Sequence, residues 1–344
     1  MSFERLTIFY FSGTGNSKNV AQWMSSVASK YNIESSIHNI ATINRDSVEP
    51  VPINSLIIFI SPVHGFNYPP VMLHFIARFP KGQNKVILMD TRAGLLIGNY
   101  NLPGLSGATF LFSSLILKLK GYSISGIKPV DLPSNWISLH PGLNARAIKK
   151  LHEKQKAKVV GFGEKVFTGQ KIHIPWPEVL IDIVIAPVSI GYYFAGRFLF
   201  AKTFYASGDC NHCDVCIKNC PVKAIVKIDN RPFWTFKCES CMRCMSNCPK
   251  RSIETAHGFI ISYCLLSSVL TGLLLYHFDT LLFVIPGGLI RYVIKTALFL
   301  LFLGISYRIT HYLMRFKFFE RLMVYTSLTK YKFWGKRYKA LKNF

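Results

Sequence analysis

Along the first half of the chain, solid runs of apolar residues alternate with stretches whose apolar positions recur every three or four residues. Leu6–Phe11, Ser55–Ser61 and Lys85–Asp90 are the clearest runs, rich in Ile, Val and Phe, and Tyr31–His38 and Tyr122–Val130 are weaker ones. Between them lie four helix-compatible stretches: Asn16–Ser29, Val71–Phe79, Ala108–Lys120 and Asn144–Phe167. Strands with no polar face need cover on both sides, and alternation with helices supplies it. The pattern therefore predicts an α/β domain over residues 1–170. Its sheet is parallel and doubly wound, with five strands in the order 2-1-3-4-5.

The pattern then changes. Residues 171–206 are an apolar linker; from Val179 to Phe200 the only charges are Asp182 and Arg197, and Pro187 interrupts the run. Residues 207–257 are turn-rich and dense in cysteine. Residues 258–314 are largely apolar and are expected to form a helical transmembrane hairpin. Gly258–Tyr276 carries no charge over 19 residues, about 28 Å of helix and close to the hydrocarbon thickness. A second stretch runs from Tyr292 to Met314, after a break at Pro286-Gly287-Gly288. A charge at the bilayer centre costs roughly 2.5–3.5 kcal/mol, so Arg291 and Lys295 are expected near a surface or snorkelling.

Composition explains why one chain holds such different parts. Its 344 residues include 41 Lys and Arg against 17 Asp and Glu, a net charge of +24, yet half are hydrophobic. Mean hydropathy is +0.26. Such a chain is part basic and part lipid-seeking, and it is too apolar to be mainly disordered. Collagen-like and coiled-coil classes are excluded as well.

Basic segments flank the hairpin on both sides, whereas its link His277-Phe278-Asp279-Thr280 has no Lys or Arg. Both flanks are thus expected in the cytoplasm. The tail 315–344 carries nine Lys or Arg, with Phe316, Phe318, Phe319, Tyr331, Phe333 and Trp334 among them. That mixture suits the anionic leaflet of a lipid bilayer. Nucleic acid competes for the same charge, but adjacency to the hairpin favours lipid, and no nucleic-acid partner is expected. The linker 171–206, also flanked by basic residues, is expected to lie on the leaflet or enter and leave by one face. The first residues lack the features of a signal peptide. The whole reads as a multi-pass protein of the cell membrane with cytoplasmic soluble parts, where thiols stay reduced.

In that compartment the nine cysteines point to metal. Cys210, Cys213, Cys216 and Cys220 read C-x-x-C-x-x-C-x-x-x-C before Pro221, and Cys238, Cys241, Cys244 and Cys248 repeat the run before Pro249. In two-cluster ferredoxins the fourth cysteine of each run ligates the other cluster. Cys210, Cys213, Cys216 and Cys248 are therefore expected on one 4Fe–4S cluster, and Cys238, Cys241, Cys244 and Cys220 on the second. Crossed pairing would let so short a segment fold without a large core. Structural zinc is the alternative, but it usually takes pairs of C-x-x-C rather than triplets with a trailing Cys-Pro. Cys264, in an apolar run, is expected to be a buried small hydrophobe.

The first strand leads into Ser12-Gly13-Thr14-Gly15-Asn16-Ser17, which opens a helix. Backbone amides and hydroxyls there suit a phosphate. The turn is neither a Walker A loop nor G-x-G-x-x-G, because Lys18 stands where the third Gly is needed. Two more loops are expected at the same sheet edge. One holds His64, Gly65, Phe66, Asn67 and Tyr68, where Phe66 and Tyr68 offer stacking faces; the other holds Thr91, Arg92, Ala93 and Gly94. His64 also reads as a loop histidine with a structural hydrogen bond. No set of catalytic side chains stands out.

The order of phosphate turn, Pro-His-Gly loop, Ala-Gly loop and double cysteine run resembles the ferredoxins that carry an N-terminal flavodoxin-like domain. The resemblance extends to Phe204-Tyr205 and Phe233-Trp234 and covers residues 1–257. It implies FMN in the first domain, with Ser12, Thr14, Gly15, Asn16 and Ser17 on its phosphate. The loops of Phe66 and Gly94 would flank the ring. Ser17 stands where flavodoxins often have Thr, which keeps the hydroxyl.

The expected function is electron transfer between FMN and two 4Fe–4S clusters, to or from a redox partner protein or a lipid-soluble acceptor at the membrane. Lys218, Lys223, Lys237, Arg243, Lys250 and Arg251 would favour the more reduced cluster. A flavin-dependent reductase of a quinone or isoprenoid lipid and a redox sensor are the alternatives.

Overall fold

A computed structural model describes residues 3–45, 48–98, 100–134, 136, 138, 140, 143–170, 172, 176–197, 203–282 and 288–330. In chain order the first domain runs β1 (Arg5–Tyr10), α1 (Asn16–Lys30), β2 (Glu34–Asn39), β3 (Ser55–Pro62), α2 (Pro70–Arg78), β4 (Lys85–Ile97), β5 (Tyr100–Leu102), α3 (Thr109–Leu119), β6 (Ser123–Pro133) and α4 (Ala145–Phe167). Parallel pairing gives the order β2-β1-β3-β4-β6. This is the expected doubly wound order with one addition, the short β5, which folds back antiparallel on β4.

Every residue of β3 is buried, as a central parallel strand requires. One face of the sheet packs on α1 and α4 through Val20, Met24, Val159 and Phe162. The other packs on α2 and α3 through Met72, Phe75, Phe110 and Leu117. Asn144 caps α4 by accepting the Ala147 N–H at 2.8 Å, which satisfies one of the free amides at a helix start.

The apolar linker is a helix, α5 (Trp176–Gly191), which runs through Pro187 into a π-helical turn, Tyr192–Gly196. Proline and the rare π turn both break regular helix hydrogen bonding. Leu180, Ile183, Val184 and Val188 face outward. Tyr193 bonds through its hydroxyl to His74 Nε2 at 3.2 Å, which holds the π turn against the first domain.

The cysteine module comprises β7 (Phe204–Ala206), α6 (Val215–Lys218), β8 (Ile225–Ile228), β9 (Arg231–Trp234), α7 (Arg243–Asn247) and β10 (Ile253–Thr255). β7 pairs with β10, and β8 with β9, both antiparallel. The sequence repeat is also a backbone repeat. Left-handed residues fall at His212 and Ser240, Asp214 and Met242, Lys223 and Arg251, each pair 28 apart (240 − 212, 242 − 214, 251 − 223). Non-glycine residues adopt this conformation rarely, so a matched set marks two copies of one loop geometry.

The chain continues as α8 (His257–Leu282) and α9 (Gly288–Leu313), antiparallel neighbours joined by Tyr263, whose hydroxyl donates to Phe302 O at 3.1 Å. Both helices are longer than the sequence pattern suggests. Among the described residues α9 alone is long and apolar enough to cross a membrane; the apolar part of α8 at His257–Leu270 is shorter. One such helix does not support the multi-pass expectation. Cys264 is exposed on α8, not buried, because its helix has little protein around it.

After α9 the chain returns to the cysteine module as α10 (Lys317–Tyr325). Gly258 N–H donates to Thr326 O at 3.0 Å and Thr255 N–H to Thr329 Oγ1 at 3.2 Å. Arg231 pairs with Glu320 at 3.5 Å, and Arg315 with Asp229. This part of the basic tail therefore docks on protein; Tyr331, Phe333 and Trp334 lie outside the described residues.

Candidate functional site

The turn after β1 is built for its backbone. Gly15 has φ 114°, which glycine alone adopts without strain, and its N–H donates to Ser12 Oγ at 3.0 Å. The first turn of α1 holds no acid, so its amide dipoles are open to an anion. Asn16 Nδ2 donates to Pro133 O at 3.0 Å, and the Ser17 and Thr91 hydroxyls bond at 3.0 Å. These bonds join the turn to β4 and to the end of β6. Thr14 and Gly15 stand half-buried at the rim.

The second loop is more closed than expected. His64 is buried with its ring against Trp136, centroids 5.4 Å apart. Burial pulls its imidazole down to about 4, so it is neutral. Gly65 and Phe66 follow with φ 56° and 63°. Asn67 closes the loop, its carbonyl oxygen accepting from His64 N at 2.8 Å and its Oδ1 from Tyr68 N at 2.8 Å. Tyr68 is not a stacking face. It is buried, and its hydroxyl donates to Met89 O at 2.7 Å. The ring beside Gly65 is that of Tyr192, which fills the space a Cβ there would need.

The third loop is not a loop. Thr91, Ala93 and Gly94 continue β4, paired with Val130, Leu132 and Pro133 of β6. A buried ion pair, Arg92 Nε to Asp131 Oδ1 at 2.7 Å, fastens this end. Beside it burial pushes the fully enclosed Asp90 carboxyl up to about 7, against the pull of Arg92.

The cysteines gather across the two runs. Cys210, Cys213, Cys216 and Cys248 line one cavity with Pro232 and Ile253. In the other group, Cys220, Cys241 and Cys238 all press the Cys244 thiol upward, after burial as the main cause. Burial likewise pushes Cys241 up to about 12, with Cys220 adding to it. A cationic metal group relieves this crowding, because it binds the thiolates and releases their protons. Backbone N–H groups of Ala224, Ser240 and Ser252 point at the sulfurs of Cys220, Cys238 and Cys248 at 3.2, 3.4 and 3.3 Å. Such bonds stabilise electron-rich cluster sulfur. Among the described residues no three His, Cys, Asp or Glu converge closely enough to hold a single metal ion.

The two parts touch at specific residues. Gly13 lies so close to Cys241 that a Cβ would strike the Cys241 carbonyl oxygen. Cys241 is buried in the core that contains Phe11 and Tyr68. Trp136 Nε1 donates to Ser240 O at 2.8 Å, and its ring lies 5.7 Å from that of Tyr192. Neither Trp136 nor Tyr192 stands in a motif. Trp136 offers only a large aromatic residue as a sequence signal, and Tyr192 reads as part of the apolar linker.

The strand order, with its turn and loops at the C-terminal edge beside β1 and β3, settles the architecture. The first domain has the flavodoxin-like fold. Among solved structures the chain is similar to a flavodoxin from Megasphaera elsdenii, with 18% identity, 44% of this chain and 98% of that one covered, and TM-score 0.29. Flavodoxin 1 from Bacillus cereus gives 16% identity, coverage of 46% and 97%, and TM-score 0.29. The rubredoxin oxygen:oxidoreductase from Desulfovibrio gigas gives 12% identity and TM-score 0.29; the match takes in 47% of this chain and about a third, 37%, of that protein. No protein-family model matches the chain, and no curated protein does.

Proposed function

We propose that the chain is a membrane-anchored electron-transfer protein that moves electrons between FMN and two 4Fe–4S clusters. The observation that carries this reading is the gathering of the cysteines into two groups, each drawing on both runs, with one group against the phosphate turn at Gly13. When bound, FMN exchanges electrons in pairs or singly, and each cluster carries one. Ser12, Thr14, Gly15, Asn16 and Ser17 would hold the phosphate. His64 to Asn67, with Thr91, Ala93 and Gly94, would border the ring, and Tyr192 closes the Gly65 side. Buried, neutral His64 and half-buried Trp136 would limit the access of water to the gap.

For topology, α8 and α9 form a hairpin that enters and leaves by one face, since both ends are bonded to the cysteine module. The flavin domain and clusters then share the cytoplasmic side of the cell membrane, with the outward apolar face of α5 on the leaflet. The working boundaries are 1–170, 171–206, 207–257, 258–314 and 315–344. The test is a pulse of reductant on protein purified without oxygen. Flavin and clusters should equilibrate on a fast timescale; centres that never exchange electrons contradict the reading.

One observation favours a second reading, reduction of a membrane quinone. Phe233 packs against Tyr307 and His311 at 5.5 and 4.6 Å, with the Arg308 guanidinium over its ring at 5.2 Å. These are hydrogen-bonding side chains near the cytoplasmic end of α9. Turnover of a quinone by the purified protein would support it.

A further inference from the structure

The two cysteine groups differ in their surroundings. Cys241 is enclosed by the flavodoxin-like core, Ser240 receives the Trp136 N–H, and Gly13 abuts Cys241. Cys213, by contrast, is exposed, and so are its neighbours Asn211 and His212. The charge around that exposed corner is one-sided. Asp214 is paired with Lys227 at 2.9 Å, Asp209 with Lys330 at 2.5 Å and Asp229 with Arg315, while Glu254 is buried. Lys218, midway between Cys216 of the outer group and Cys220 of the other, and Lys250, two residues beyond Cys248, are exposed and have no acidic partner among the described residues. The anchor and the segment after it reach the module through Arg231, Phe233 and Asp229, and through Lys330 at Asp209, but not at Lys218 or Lys250 among the contacts of the described residues.

We infer that the two clusters have fixed places in a route. The one held by Cys220, Cys238, Cys241 and Cys244 exchanges electrons with the flavin site across the Trp136–Ser240 contact. The one held by Cys210, Cys213, Cys216 and Cys248 exchanges them with a soluble, acidic electron-carrier protein that docks on Lys218 and Lys250. This rests on the function proposed above.

Each step moves one electron and neither forms nor breaks a bond at the clusters. In the outward direction one electron would pass from the group held by Cys220, Cys238, Cys241 and Cys244 to the group held by Cys210, Cys213, Cys216 and Cys248, and from there to the carrier. Two carrier molecules remove the electron pair of one reduced flavin, and the flavin's proton goes to water. Complementary charge acts mainly on the encounter rate and is weakened by salt.

The test uses the full chain in detergent, loaded with flavin and iron, and an acidic ferredoxin as probe. Trp136→Leu should keep flavin and iron contents but slow flavin-to-cluster transfer several-fold, read from flavin absorbance and cluster EPR after a reductant pulse. The pair Lys218→Glu and Lys250→Glu should slow that internal transfer far less than transfer to the carrier, because it removes charge beside the ligands but leaves the Trp136–Ser240 contact in place. It should also slow second-order reduction of the ferredoxin by about tenfold and flatten its salt dependence. Reduction of a small neutral acceptor should not change. Transfer in Trp136→Leu as fast as in the parent overturns the route. Unchanged ferredoxin reduction in the charge variant, or a loss of binding to anionic vesicles in its place, overturns the docking site. A preparation that holds no flavin or no iron fails at the function itself, which separates the two failures.

Discussion

The indole of Trp136, on the segment that follows β6, gives its N–H to the carbonyl oxygen of Ser240, two residues after Cys238, at 2.8 Å. One hydrogen bond thus links the loop edge of the flavodoxin-like sheet to the loop that carries Cys238, Cys241 and Cys244. Removing a single neutral hydrogen bond costs about 1 kcal/mol. Trp136→Phe, which keeps most of the ring, should lower the unfolding free energy by about that amount, read as a shift in denaturant midpoint at constant slope.

Gly13 meets the main chain of Cys241, not a flexible side-chain end. A methyl group there forces backbone apart, and overpacking of this kind costs about 1–3 kcal/mol. Gly13→Ala should therefore lower the thermal midpoint and the iron retained per chain. The same change at Gly161, where nothing lies within 4 Å, should do neither.

Asp90 predicts a pH dependence. Its folded carboxyl titrates at about 7 against 3.8 in the unfolded chain, so the folded state holds the extra proton. Stability is then lost as pH rises from about 4 to 7, by at most about 4 kcal/mol at 1.36 kcal/mol per unit. Asp90→Asn removes that loss. The variant should match the parent near pH 4 and exceed it at pH 8, measured by denaturant unfolding across the range.

The cysteines divide by role. Cys264 lies exposed on α8, away from both groups, so Cys264→Ala should leave iron and sulfide contents unchanged. Cys248 closes the cavity formed with Cys210, Cys213 and Cys216. Cys248→Ser should lower iron and sulfide by up to half while flavin content holds. Metal and sulfide assays with flavin extraction read all three.

The sheet was legible because β3 and its neighbours are solidly apolar, a pattern that only a strand covered on both faces needs. The turn after β1 and the cysteine repeat were legible as local geometry, because a tight turn calls for glycine at the left-handed Gly15 and a repeated loop repeats its residue types at short spacings. The continuation of β4 through Thr91–Gly94 was not, since Gly and polar residues read as loop until β6 is seen to pair beside them. Tyr68 read as a stacking face because one residue does not reveal that its hydroxyl reaches Met89 across the core. Tyr192 was hidden for a related reason: a tyrosine in an apolar run looks like lipid contact, and only the tertiary fold turns it onto Gly65. The docking of α10 depends on Arg231–Glu320 and Thr255–Thr329, contacts between segments far apart in sequence.

The central claim is tested most directly by the composition of the full chain after purification without oxygen. The account predicts brown protein with one FMN and two four-iron clusters' worth of iron and acid-labile sulfide per chain. Colourless protein, or protein that holds zinc in place of iron, contradicts it.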